Sequence, residues 1–230
     1  MKSNEGFNRE WRMSDARAIP SDKDFTKRER QIISSHRTPE QVQRFIRTIP
    51  YNREQNGETC HSFRRSLREN HAHCLEGAIV AAVILEQHGY PPVMVSIESQ
   101  DKLDHVLLIF KRNGRFGSVA RSRDIGLHGR KPVFRTVRDL VLSYFEPYVD
   151  KTGRITGYGI TNLHELGSYD WRFSMRNVWK VERHLQDIPH SQIRSSDERY
   201  EKLRRRYLAF HKENPDRSPD HFSSRPLWLL

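Results

Sequence analysis

Residues 71 to 90 read HAHCLEGAIVAAVILEQHGY, and from Leu75 to Leu85 every position except Glu76 and Gly77 is apolar. A helix with no polar face is buried on all sides, so this stretch predicts a helix through the middle of the domain, stopped by Gly89 and Pro91. Cys74 stands at its start, after the polar segment RENHAH. A sulfur at a helix N-terminus feels the positive end of the macrodipole, which favours the thiolate, the form that acts as a nucleophile. The Cys74 N–H, in the first turn, then points toward any developing oxyanion.

Working outward, residues 93 to 99, VMVSIES, alternate Val93, Val95 and Ile97 with Met94, Ser96 and Glu98, the period of a half-buried strand. Residues 104 to 124, DHVLLIFKRNGRFGSVARSRD, are two strand-like runs joined by Asn113 and Gly114, the pair that a two-residue type I′ hairpin turn demands. His105 opens the first of these strands, preceded by Asp104, and is the leading general base for the thiol. With Asn113 and Gly114 in the turn, His105 falls opposite Ser122, and Asp124 lies two positions on along the same face. Such diagonal neighbours are about 7 to 8 Å apart at the backbone, within reach of a carboxylate that orients the imidazole. A one-residue slip puts Arg121 and Arg123 there instead, which repel an imidazolium.

The Cys, then His on a strand, then Asp on the neighbouring strand, with the cysteine starting a core helix, resembles the transglutaminase-like branch of the papain-type cysteine enzymes. The similarity also takes in PYNREQNGETCHSFR (50 to 64), GLHGRKPVFRTVRDL (126 to 140) and SYFEPYV (143 to 149), and covers roughly residues 38 to 190, closest to a bacterial group without an assigned activity. The resemblance implies an α+β fold, a buried Cys-bearing helix packed on an antiparallel β-sheet. It implies Cys74 as nucleophile, His105 as base and Asp124 as the orienting residue, with Ser122, His73 and Asn70 as possible supporting residues. Family hairpins usually place the acid nearly opposite the histidine, where this chain has Ser122, so the third member is Asp124 or Ser122.

The remaining segments frame that domain. Residues 1 to 36 are polar and carry the charge run SDKDFTKRERQ, which predicts a loose arm. Thr38, Pro39 and Glu40 open a helix bearing Val42, Phe45 and Ile46, and Thr136 caps another bearing Val137, Leu140, Val141 and Tyr144. Ser196 opens a helix whose Tyr200, Leu203, Tyr207 and Phe210 form one stripe beside Lys202, Arg204, Arg205 and Arg206. The expected organisation is an arm over 1 to 36, the transglutaminase-like domain over 37 to 190, and a basic helix and tail over 191 to 230.

Composition limits what the domain does. The 230 residues are 35% hydrophobic, enough for one sizeable core, and contain no apolar run near the ~20 residues of a membrane span. The opening residues lack the apolar stretch of a signal peptide, so a cytoplasmic protein is expected. Forty Lys and Arg against 29 Asp and Glu give a net charge of +11, which raises affinity for polyanions without requiring one. The tyrosine and arginine stripe of residues 200 to 210 admits nucleic acid as a partner, although such a stripe is also the buried face of a terminal helix. Two cysteines, Cys60 and Cys74, are too few for a disulfide framework. His71, His73, Cys74 and His105 are residue types that zinc accepts, but adjacent His73 and Cys74 fit one tetrahedral site poorly and no CxxC pair accompanies them, so neither metal nor cofactor is expected. Cys60, in GETCHSFRR, His61 and His128 carry no signal tying them to the thiol, and GLHGR has two glycines that allow a loop to approach the site or simply to turn. The expected activity is acyl transfer on a peptide or protein amide, by hydrolysis or by transfer to an amine; the alternatives are a binding protein of the same fold and a basic nucleic-acid-binding protein.

Overall fold

The computed structural model describes residues 19 to 215, 217 and 228 to 230. Its helices are α1 (Lys27–Ser35), α2 (Pro39–Thr48), α3 (Phe63–Glu69), α4 (Cys74–Glu86), α5 (Val137–Leu142), α6 (Phe145–Tyr148), α7 (Trp179–Asp187) and α8 (Asp197–Glu213). Its strands are β1 (Val93–Ser99), β2 (His105–Arg112), β3 (Arg115–Val119), β4 (Arg130–Phe134), β5 (Ile155–Asn162) and β6 (His190–Gln192), with a short 3-10 turn at Ile125–Leu127. The six strands form one antiparallel sheet in the order β4-β3-β2-β1-β5-β6. The chain is thus α+β, and no helix among the described residues is long and apolar enough to cross a membrane.

The apolar stretch of residues 75 to 85 is α4, and all of its residues from Leu75 to Glu86 are buried. It packs with α2, α3 and α1 on one face of the sheet, against Met94, Leu108 and Phe110. The opposite face, with Val93, Val95, Ile97, Leu107 and Ile109, is covered by α5, α6 and Tyr200 of α8. Burial on both faces corrects the expectation for VMVSIES: Met94 and Ser96 are as inaccessible as their neighbours, because β1 is central and helices cover both sides. Truncating a side chain in this centre, as in Ile79→Ala, costs about 2 to 5 kcal/mol.

The charge run read as part of a loose arm instead forms α1. Thr26 caps it by accepting from the Glu29 N–H, and Phe25 and Ile33 enter the core. Arg64 of α3 holds buried Glu29 through two hydrogen bonds of 2.8 Å, so the charges that suggested solvent are partly spent on an internal ion pair. Residues 1 to 18 of that arm lie outside the described residues. In α8, Ser196 caps the helix as expected, but only Tyr200 of the stripe is fully buried; Leu203 is half-buried and Arg206 pairs with Glu146.

The hairpin turns at Asn113 and Gly114, both left-handed (φ 51° and 72°), and its pairing runs from Arg112↔Arg115 to Leu108↔Val119, the anticipated register. Pairing stops there. Gln43 of α2 takes over the departing chain, its side chain donating to the Ala120 carbonyl (3.0 Å) and accepting from the Ala120 N–H (2.9 Å). Ser122 and Asp124 therefore lie in the loop beyond β3, not on a continued ladder facing His105.

Candidate active site

Cys74 is the first residue of α4, half-buried among the residues that line a cleft of about 570 Å³. His73 is the N-cap. Its backbone N–H donates to Glu76 (2.9 Å), and its ring Nδ1 accepts from the Leu75 N–H (3.3 Å) when neutral. Glu76 is fully buried, and both its oxygens are engaged: one accepts from Thr59 Oγ1 (2.7 Å) and the His61 N–H (2.9 Å), the other from Asn52 Nδ2 (3.1 Å) and the His73 N–H. One carboxylate thereby ties residues 52 to 61 to the head of the helix that carries the thiol. Burial works against its charge, but His73 and these donors outweigh that and hold its carboxyl below the usual range.

His105, the first residue of β2, pairs with Ile97 of β1 and is buried. Its Nε2 lies 2.9 Å from the Leu127 carbonyl, so in the neutral ring Nε2–H donates there and the other nitrogen is left for the sulfur. Tyr144 packs edge-on against the imidazole, with ring centres 6.0 Å apart, and its hydroxyl lies 2.7 Å from Ser118 Oγ.

The loop presenting Leu127 is itself fixed by buried groups. The Arg130 guanidinium donates to the carbonyls of His128 and Gly126 (2.6 Å each), and His128 Nε2 meets the Ser122 carbonyl at 3.0 Å. Burial holds the His128 imidazole down to about 4, so it stays neutral. Gly77 lets this loop lie against α4: a Cβ there would stand 2.6 Å from the Arg121 Cβ.

The Cys74 sulfur lies 3.9 Å from the Asp104 carbonyl and beside the imidazoles of His105 and His73. Burial pushes the thiol up, but the hydrogen bonds from His105 and then His73, with their charges, bring it down to about 5. His73 moves the opposite way, to about 9: burial opposes its charge, and the Cys74 hydrogen bond, the thiolate and Glu76 prevail. At neutral pH the pair is a thiolate beside an imidazolium, whose Nδ1–H replaces the Leu75 contact.

Of the residues expected from the sequence, Cys74, His73 and His105 meet at one point, and Ser122 and Asp124 line the same cleft. Ser122 Oγ accepts from the Asp124 N–H at 3.2 Å. Asn70 is the left-handed C-cap of α3 (φ 56°) and is not among the residues lining the cleft. Three contributors, the Leu127 carbonyl, Gln43 and Arg130, carried no sequence signal as site residues, and Glu76 was missed with them. For Glu76 a signal existed, since an acid three residues after an N-cap is the capping-box spacing. His61, His71 and Glu76 bring their ligand-type atoms within 4.8 Å of one another, but a cation there would have to displace donors from a carboxylate that already accepts four hydrogen bonds.

No family model matches the chain, and no curated protein matches it. Solved structures similar to it include LapG of Legionella pneumophila, at 13% identity, and the EGTA-treated form of that protein, at 12%. Each match covers 64% of this chain and 89% of that chain, with a TM-score of 0.36.

Proposed function

We propose that this protein is a transglutaminase-like thiol enzyme that acts on an amide or peptide bond through a Cys74 acyl intermediate. The observation that carries this reading is the junction of three features: a thiol at the start of a buried helix, an imidazole beside it that lowers its pKa, and a fixed acceptor on that imidazole's far nitrogen. The Cys74 thiolate adds to the amide carbonyl, and the oxyanion forms near the Cys74 N–H, which as the first helical residue has no intrahelical acceptor. The Cys74 proton, taken up by the sulfur-facing nitrogen of His105 as the thiolate attacks, passes to the leaving nitrogen as the C–N bond breaks, leaving His105 neutral and a thioester on Cys74. Water, or a primary amine in transamidation, then adds to the thioester while His105 takes its proton, and the thiolate departs.

The Leu127 carbonyl takes the orienting part usually given to a side chain. A neutral acceptor fixes the ring and tautomer but stabilises the imidazolium less than a carboxylate does. Asp124, which lines the cleft, is the sequence candidate for that further charge, and His73 supports the thiolate directly. The test is intact-mass analysis after incubation with peptide amides and activated peptide esters. An acyl adduct on Cys74 that disappears in His105→Ala supports the reading; a thiol that never acylates while esters and amides stay intact removes it.

A further inference from the structure

The cleft over Cys74 has the opposite charge to the rest of the molecule. The chain carries +11, yet seven carboxylates line the cleft against three Arg and Lys side chains. Several of the seven are occupied: Asp101, Asp104 and Asp150 accept backbone N–H groups in their own turns. The end nearest His73 differs. There Glu54, Glu58 and Glu182 stand with half-buried Trp179, and neither Glu58 nor Glu182 has an ion-pair partner among the described residues. Glu182 is held above the usual carboxylate range by burial first and then by Glu58, which together outweigh the opposing charge of His73. Gathering like charges costs folding free energy that the single His73 imidazolium offsets only in part, and carboxylates around an aromatic face suit an ammonium or guanidinium.

We infer that this end of the cleft binds a cationic side chain of the substrate, with Glu58 and Glu182 as its counter-charges and Trp179 as its wall, so that the amide presented to Cys74 belongs to a lysine- or arginine-bearing peptide. The inference rests on the thiol-enzyme reading for its chemistry, though not for the binding itself. The sign is diagnostic, because the net charge of +11 favours anions whereas the carboxylates of this cleft favour cations.

The experiment compares three iodoacetamides, one carrying an ammonium, one neutral and one carrying a carboxylate, on the full chain with Cys60 monitored by peptide mapping. In each the Cys74 thiolate forms a C–S bond as the C–I bond breaks, iodide leaves with the electron pair, and no proton is transferred. The expected order of rates at Cys74 is cation, neutral, anion, with cation over neutral about fivefold or more at low salt and falling toward one as salt is added. Glu58→Gln with Glu182→Gln should bring that ratio close to one. A ratio of one in the wild type, a faster anion, or a preference that survives both substitutions overturns the inference. If the neutral reagent finds Cys74 no more reactive than a free thiol, it is the enzyme reading that fails. The cation site is then decided by calorimetry on Cys74→Ala: a lysine-containing peptide must bind more tightly than its glutamate counterpart, and equal or reversed affinity rejects the site.

Discussion

The two cysteines stand at opposite ends of thiol chemistry. Cys60 is wholly buried, its sulfur 3.6 Å from the Val178 carbonyl, and burial, with Glu182 and Glu76 adding to it, pushes its thiol well above the ordinary range. Cys74 is half-buried and lines the cleft, and two imidazoles bring its thiol down to about 5. Glu76 acts on both with opposite results. Toward Cys60 its charge opposes a thiolate directly, whereas for Cys74 it holds His73 in place and favours the imidazolium. What separates a packing cysteine from a nucleophile here is which groups face the sulfur, since desolvation pushes both the same way.

The difference is broken most completely by removing the nucleophile. Cys74→Ala should reduce turnover of any amide or ester substrate by ~10³-fold or more, while Cys60→Ala leaves kcat/KM within about threefold; parallel assays of the two variants check this. Next is the imidazole contact. His105→Ala should cut alkylation of Cys74 at pH 6 by about 10²-fold and His73→Gln by about tenfold, in the order of their hydrogen bonds to the sulfur.

Stability probes sharpen the comparison further. Glu76→Gln sets an amide NH₂ among donors that have lost their acceptor, and should cost about 2 to 4 kcal/mol in urea unfolding. Cys60→Ser places a hydroxyl in a dry site and should cost about 1 to 2 kcal/mol without changing Cys74 labelling. The smallest effect is in pH. A thiol lowered from 9.0 to about 5 adds stability at high pH that fades as pH falls through 5, while His73, raised from 6.5 to about 9, adds stability below 6.5 that fades as pH rises through 9. The two slopes oppose each other between 6.5 and 9, and below that window the Cys74 slope stands alone. The stability advantage of wild type over Cys74→Ser should therefore shrink by ~1 kcal/mol or more between pH 7 and pH 5.

Much of this was legible in the residues because the signals were local. The all-apolar run from Leu75 announced a buried helix, Asn113 and Gly114 announced the turn and its register, and together they put Cys74 and His105 in one fold. The loop beyond Val119 was not legible, since its course depends on Gln43, distant in sequence, and on Arg130, whose place in GLHGR does not show which carbonyls its guanidinium holds. Extending the ladder to Ser122 and Asp124 assumed that β3 continues, and a main-chain carbonyl such as that of Leu127 has no sequence signature at all. The polar run before Thr38 misled for a related reason: composition counts charges without knowing that Glu29 and Arg64 pair.

The most direct measurement is the pH dependence of iodoacetamide labelling at each cysteine, read by peptide mapping from pH 4 to pH 10. Cys74 should label with a midpoint near 5, moving up toward the ordinary thiol range in His105→Ala, while Cys60 stays unlabelled until the protein unfolds. A Cys74 midpoint near 9 in the wild type, or one that His105→Ala leaves in place, contradicts the activated thiol on which the proposed chemistry depends.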